Sequence, residues 1–76
     1  MIAIQGFKKS KDSIFLIFDN EGIDEMIDYL NFIKNSDSSM HLTEGNELSS
    51  DDSDIDGDMY LIPHVKIINI DKLDDV

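Results

Sequence analysis

One change of period constrains this chain more than anything else in it. Ile14-Phe15-Leu16-Ile17-Phe18 places five apolar residues in a row. Most are β-branched or aromatic, the composition of a strand covered on both faces. Asp19 and Asn20 follow, and either side chain suits an N-cap, accepting from the free amides of a helix's first turn. Beyond them the apolar spacing lengthens to that of a helix. Ile23, Met26, Ile27, Leu30 and Ile33 fall on one stripe, while Asp24, Glu25, Asp28 and Asn31 point away. Lys34 suits the negative end of the helix dipole, and Asn35 tolerates the left-handed turn that closes many helices. Phe32 lies outside the stripe, so a loop covers it or a partner does. A strand that runs straight into an amphipathic helix across residues 13–35 calls for further strands beside it.

The remainder supplies strand-like segments. Ile2-Ala3-Ile4-Gln5 alternates weakly and reads as a first strand, antiparallel to the second. Residues 6–12 form the turn between them, with Lys8, Lys9 and Lys11 as a solvated loop rather than a phosphate site. Met40-His41-Leu42-Thr43-Glu44 alternates as a third strand, with Met40 and Leu42 on one face and His41 and Thr43 on the other. Residues 60–70 read as the last strand, with Pro63 at an edge or bulge because it cannot donate a ladder bond. Residues 45–58 lose all periodicity and are rich in Ser and Asp, which predicts a long mobile acidic loop. A frayed tail is expected over residues 71–76. The expected fold is one α+β domain over residues 1–76: a small antiparallel sheet of about four strands with one helix, in the order ββαββ. One helix covers one sheet face only. The other face, also partly apolar, needs the loop, a partner or a second copy of the chain, so a homodimer through that face is one expectation.

Charge narrows the partners. Seventeen Asp and Glu against six Lys and Arg give a formal net charge of −11. Such a field repels nucleic acid and anionic membranes and attracts cationic surfaces. No apolar run approaches the roughly 18 residues that a membrane span needs. There is no cysteine, which excludes disulfides and zinc–thiolate sites. The first residues lack the basic and long apolar segments of a secretory leader, so the expected location is the cytoplasm.

Two groups of residues invite a chemical reading. Asp52, Asp54, Asp56, Gly57 and Asp58 resemble the start of a calcium loop, with oxygen ligands at alternate positions and Gly at the sixth. The twelfth position is Pro63, where a bidentate Glu is expected, and no helix precedes the loop. A solvated or partner-facing loop is therefore the favoured reading. His41 and His64, with Glu44 or Glu47, could form a metal site or an acid–base pair. The chain has no nucleophile elbow, no Gly-rich phosphate loop and no paired ligand spacing. It reads as a binding protein without cofactor or resident metal, not an enzyme.

A family resemblance sharpens this. Phe18-Asp19-Asn20-Glu21-Gly22-Ile23-Asp24-Glu25 leading into Tyr29-Leu30-Asn31-Phe32-Ile33-Lys34 resembles the start of the helix in small bacterial immunity proteins. Gly45-Asn46-Glu47-Leu48-Ser49 and His64-Val65-Lys66-Ile67-Ile68, after the strand at Met40, resemble the rest of that pattern. The family is immunity protein 32 of polymorphic toxin systems, and the resemblance runs from about Phe18 to Ile70. The chain departs from the pattern in a shorter lead into Gly45 and in Pro63, where the family tends to carry a histidine. The resemblance implies a cytosolic antidote that binds and blocks a cognate toxin domain, with a nuclease of basic cleft as one such target. The candidate contacts are Glu44, Asn46, Glu47, Asp52, Asp54, Asp56 and Asp58, with His41 and His64 as interface or structural groups. The alternatives are a calcium-binding or generic acidic interaction module, and a small structural subunit.

Overall fold

The computed structural model describes residues 1–9, 13–51 and 57–73. The described elements are β1 (Ile2–Phe7), β2 (Ile14–Phe18), α1 (Asn20–Asn35), β3 (Ser39–Thr43), β4 (Met59–Leu61) and β5 (His64–Ile68), with a 3-10 turn at Ile70–Lys72. The class is α+β with one helix, as the pattern of periods predicts. The strands differ from expectation in number and grouping. Five strands form two antiparallel sheets, β2-β1-β4 and β3-β5, instead of four in one. The run over residues 60–70 breaks at Ile62-Pro63. Pro63 cannot continue a ladder, so the chain leaves β1 there and resumes pairing with β3.

The central strand is β1. Ile2 pairs with Phe18 and Ile4 with Leu16 on one side; Gln5 pairs with Leu61 and Phe7 with Met59 on the other. The free stretch of that second edge is closed by two further amides: Ile62 donates to the Ile4 carbonyl at 2.8 Å and Ser49 to the Ile2 carbonyl at 2.7 Å. Ile2, Ile4, Leu42 and Leu48 form the buried centre, with Phe18, Met26, Tyr29, Met40, Ile62, Val65 and Ile67 packed around them. Met40 and Leu42 face this core and His41 and Thr43 face out, as their alternation predicts.

Two expectations about burial are corrected. Strand β2 is not covered on both faces: it is an edge strand, with Ile14, Phe15 and Leu16 each about half exposed. The helix brings Met26 and Ile33 of the expected stripe inward but not the rest of it. Gly22, Met26, Tyr29 and Ile33 turn inward, whereas Ile23, Ile27 and Leu30 remain exposed. The two stripes are offset by about 100°, one residue's rotation. Gly22 decides between them. A Cβ there would lie 1.9 Å from the Met1 carbonyl oxygen, so only glycine lets the helix approach the start of β1 this closely. Phe32 is exposed, and none of the described residues covers it fully. Residues 49–51 lie outside regular structure. Residues 52–56 and 74–76 lie outside the described residues, and Ile70–Lys72 makes an ordered turn capped by Asn69, whose side chain accepts from the Asp71 amide at 3.0 Å.

Candidate functional site: an acidic cleft beside a paired histidine face

The first turn of α1 and the segment after β3 meet across a cleft of about 520 Å³. Its carboxylates are Asp19, Glu21, Glu25, Glu47 and Asp51, joined by Asn46 and by the serines at 49 and 50. On the helix side, Asp19 is the N-cap and accepts from the Gly22 amide at 2.7 Å. It also contacts the Met1 amine, which Glu25 approaches at 3.8 Å. The Met1 ammonium and the Gly22 amide together hold Asp19 below its ordinary carboxylate range, and Asp19 raises the Met1 amine in return. Glu21 lies in the same first turn, where an acid complements the helix dipole.

The opposite wall is a tight turn rather than a loose loop. Gly45 has φ +81°, a left-handed conformation that a side chain would strain. The Asn46 and Leu48 amides donate to the Thr43 carbonyl at 3.1 and 3.0 Å, and the Gly45 amide to the Leu48 carbonyl at 2.8 Å. Glu47 reaches back to accept from the Thr43 amide at 3.0 Å, and the Asn46 side-chain amide donates to the Thr43 hydroxyl at 2.8 Å. Bonding to the Thr43 amide, and next to its own, lowers the affinity of Glu47 for a proton. Leu48 then points into the core at 2% exposure and pins the turn against β1.

The predicted contacts therefore separate. Asn46 and Glu47 line the cleft. Glu44 is exposed beyond it, its amide donating to the Pro63 carbonyl at 2.8 Å. Asp58 lies by the β1 end, its carbonyl accepting from the Lys8 amide and its carboxylate 3.7 Å from the Lys9 ammonium. Asp52, Asp54 and Asp56, and with them most of the calcium-loop pattern, lie outside the described residues. His41 and His64 meet each other, Nδ1 to Nε2 at 2.6 Å, on the solvent face of β3 and β5. Among the described residues no group of three or more His, Cys, Asp or Glu is placed to hold a metal ion, and no helix is long and apolar enough to cross a membrane.

Asp19, Glu21 and Glu25 escaped the sequence reading as contacts. Asp19 is recognisable as a cap, and the spacing of Glu21 and Glu25 puts both on one helix face. Only the non-local bonds from Ser49 to Ile2 and from Asp19 to Met1 bring that face to the Gly45 turn. What the cleft offers is a concave array of carboxylates, suited to ammonium and guanidinium groups. No family model, no curated protein and no solved structure matches the chain.

Proposed function

We propose that this protein is an inhibitor by binding: an immunity-type antidote whose acidic cleft receives Lys and Arg side chains of a basic partner domain, such as a toxin. The observation that carries the reading is the convergence of Asp19, Glu21, Glu25, Glu47 and Asp51 on one cleft in a chain of net charge −11. The resemblance to the immunity family supports the same class of partner. In the sequence, Asp51 is followed by further acids at Asp52, Asp54 and Asp56. A field of this sign accelerates encounter with a cationic surface, and Asp19 and Glu47, held by the helix cap and the Gly45 turn, bind with little ordering cost.

The test is stopped-flow association with a basic toxin domain that this chain is found to bind, at several ionic strengths. Glu21→Gln, Glu25→Gln and Asp51→Asn are combined, because Asp19 and Glu47 also hold the fold. The on-rate should fall by about tenfold and its salt dependence should flatten. An unchanged on-rate and salt slope in this triple variant would exclude the cleft as the docking surface.

A further inference from the structure

We infer that His41 and His64 form a two-imidazole site for a borderline divalent transition ion, of the class of Zn2+, Ni2+ and Cu2+, on the outer face of β3 and β5. The register makes the pair. His41 lies opposite Lys66 and His64 opposite Thr43, so the two histidines are diagonal neighbours on one face of the ladder. Side chains of this length meet across that diagonal. The ring geometry shows how they meet. The planes differ by 11°, and the 4.8 Å centroid separation equals the 2.6 Å nitrogen contact plus the two ring radii. The facing nitrogens therefore lie on the line between the centroids, and the rings meet edge to edge with an in-plane lone pair aimed into the gap.

At present one ring donates and the other accepts across that gap. A metal ion takes the place of the bridging proton. The donor ring shifts its proton to its other nitrogen, so a neutral pair offers two lone pairs with no net proton release. Tetrahedral coordination at zinc–nitrogen bonds of about 2.0–2.1 Å sets the two nitrogens about 3.3 Å apart. The pair must open by about 0.7 Å and each ring must turn by about 35° to swing its lone pair from the line between the nitrogens onto the ion, rotations open to two exposed rings. Imidazole nitrogens favour zinc, nickel and copper over the hard cations calcium and magnesium. No third His, Cys, Asp or Glu completes the set among the described residues, so water fills the remaining positions.

The experiment titrates ZnCl2, and separately NiCl2, into the full chain by calorimetry while imidazole resonances are followed by NMR. One ion per chain should bind, with both histidines shifting together. His41→Gln and His64→Gln should each weaken binding about tenfold or more, since either leaves a single ring. Both positions are exposed, and circular dichroism verifies that the variants fold. The variant with Asp52, Asp54, Asp56 and Asp58 changed to Asn should bind as the parent does. Absence of saturable binding, equal affinity in either histidine variant, or loss of binding in the four-Asn variant would each overturn the assignment.

Discussion

Two leucines separate what the fold buries from what the sequence pattern suggests it buries. Leu16 sits in the most apolar run of the chain, yet it is 56% exposed; Leu48 stands alone in a polar segment and is 2% exposed. Truncating a buried leucine to alanine costs about 2–5 kcal/mol, because the lost transfer energy is joined by the cavity left behind. Leu48 contacts the buried centre formed by Ile2, Ile4 and Leu42, and the Gly45 turn that presents it is hydrogen-bonded on both sides, so the site has little freedom to collapse. We take about 3 kcal/mol for Leu48→Ala. Full burial of a leucine is worth about 1.5–3 kcal/mol, so Leu16, less than half buried at a solvent-facing edge, carries about 1 kcal/mol and leaves no closed cavity. A domain of this size has about 3–5 kcal/mol in all. With a urea dependence of about 1 kcal/mol per molar, the Leu48→Ala midpoint should fall by about 3 M and that of Leu16→Ala by about 1 M. Urea unfolding followed by circular dichroism measures both. Equal midpoints, or a larger fall for Leu16→Ala, would refute the placement of the core at the Gly45 turn.

Two further predictions test the walls of the cleft. Alanine normally improves on glycine within a helix by about 1 kcal/mol, yet Gly22→Ala should destabilise by about 1–3 kcal/mol because its Cβ meets the Met1 backbone; a raised melting temperature would contradict the close approach. Glu47 is held below its ordinary carboxylate range by the Thr43 amide, so its contribution is complete above the unfolded value and is lost as pH falls through the folded one. Glu47→Gln should therefore lie about 1 kcal/mol below the parent at neutral pH, a figure discounted for partial exposure, and converge with it as pH falls through the lowered folded value; a gap that stays constant down the acid limb would remove Glu47 from the stability of the turn.

The sequence made some of this legible and concealed the rest for physical reasons. Asp19 or Asn20 is readable as an N-cap because the apolar period changes there, and Asp19 is the one that caps the helix. The outward placement of His41 follows from alternation. Its contact with His64 depends on register, which no local pattern reports. Pro63 marks an interruption, but β4 and β5 look like one strand because both are apolar; only pairing shows that they belong to different sheets. The Gly45 turn has no period at all, so Leu48 and the cleft wall it fixes are visible only through their bonds to β1 and β3.

The helix misled in a different way. Its apolar residues occupy two adjoining stripes, and periodicity cannot say which of them meets the sheet. Gly22 tips the choice, since its missing side chain lets the stripe through Met26, Tyr29 and Ile33 approach β1. Ile23, Ile27 and Leu30 are then left at 45–50% exposure, alongside Ile14 and Leu16 at 58% and 56%. A chain of 76 residues has too few elements to cover every apolar stripe it carries. Pattern shows which surfaces are apolar, while burial is settled by which of them another element reaches first. In this fold the glycine at the first turn of α1 takes that decision, and the same close approach sets the acids of that turn beside the Gly45 segment to make the cleft.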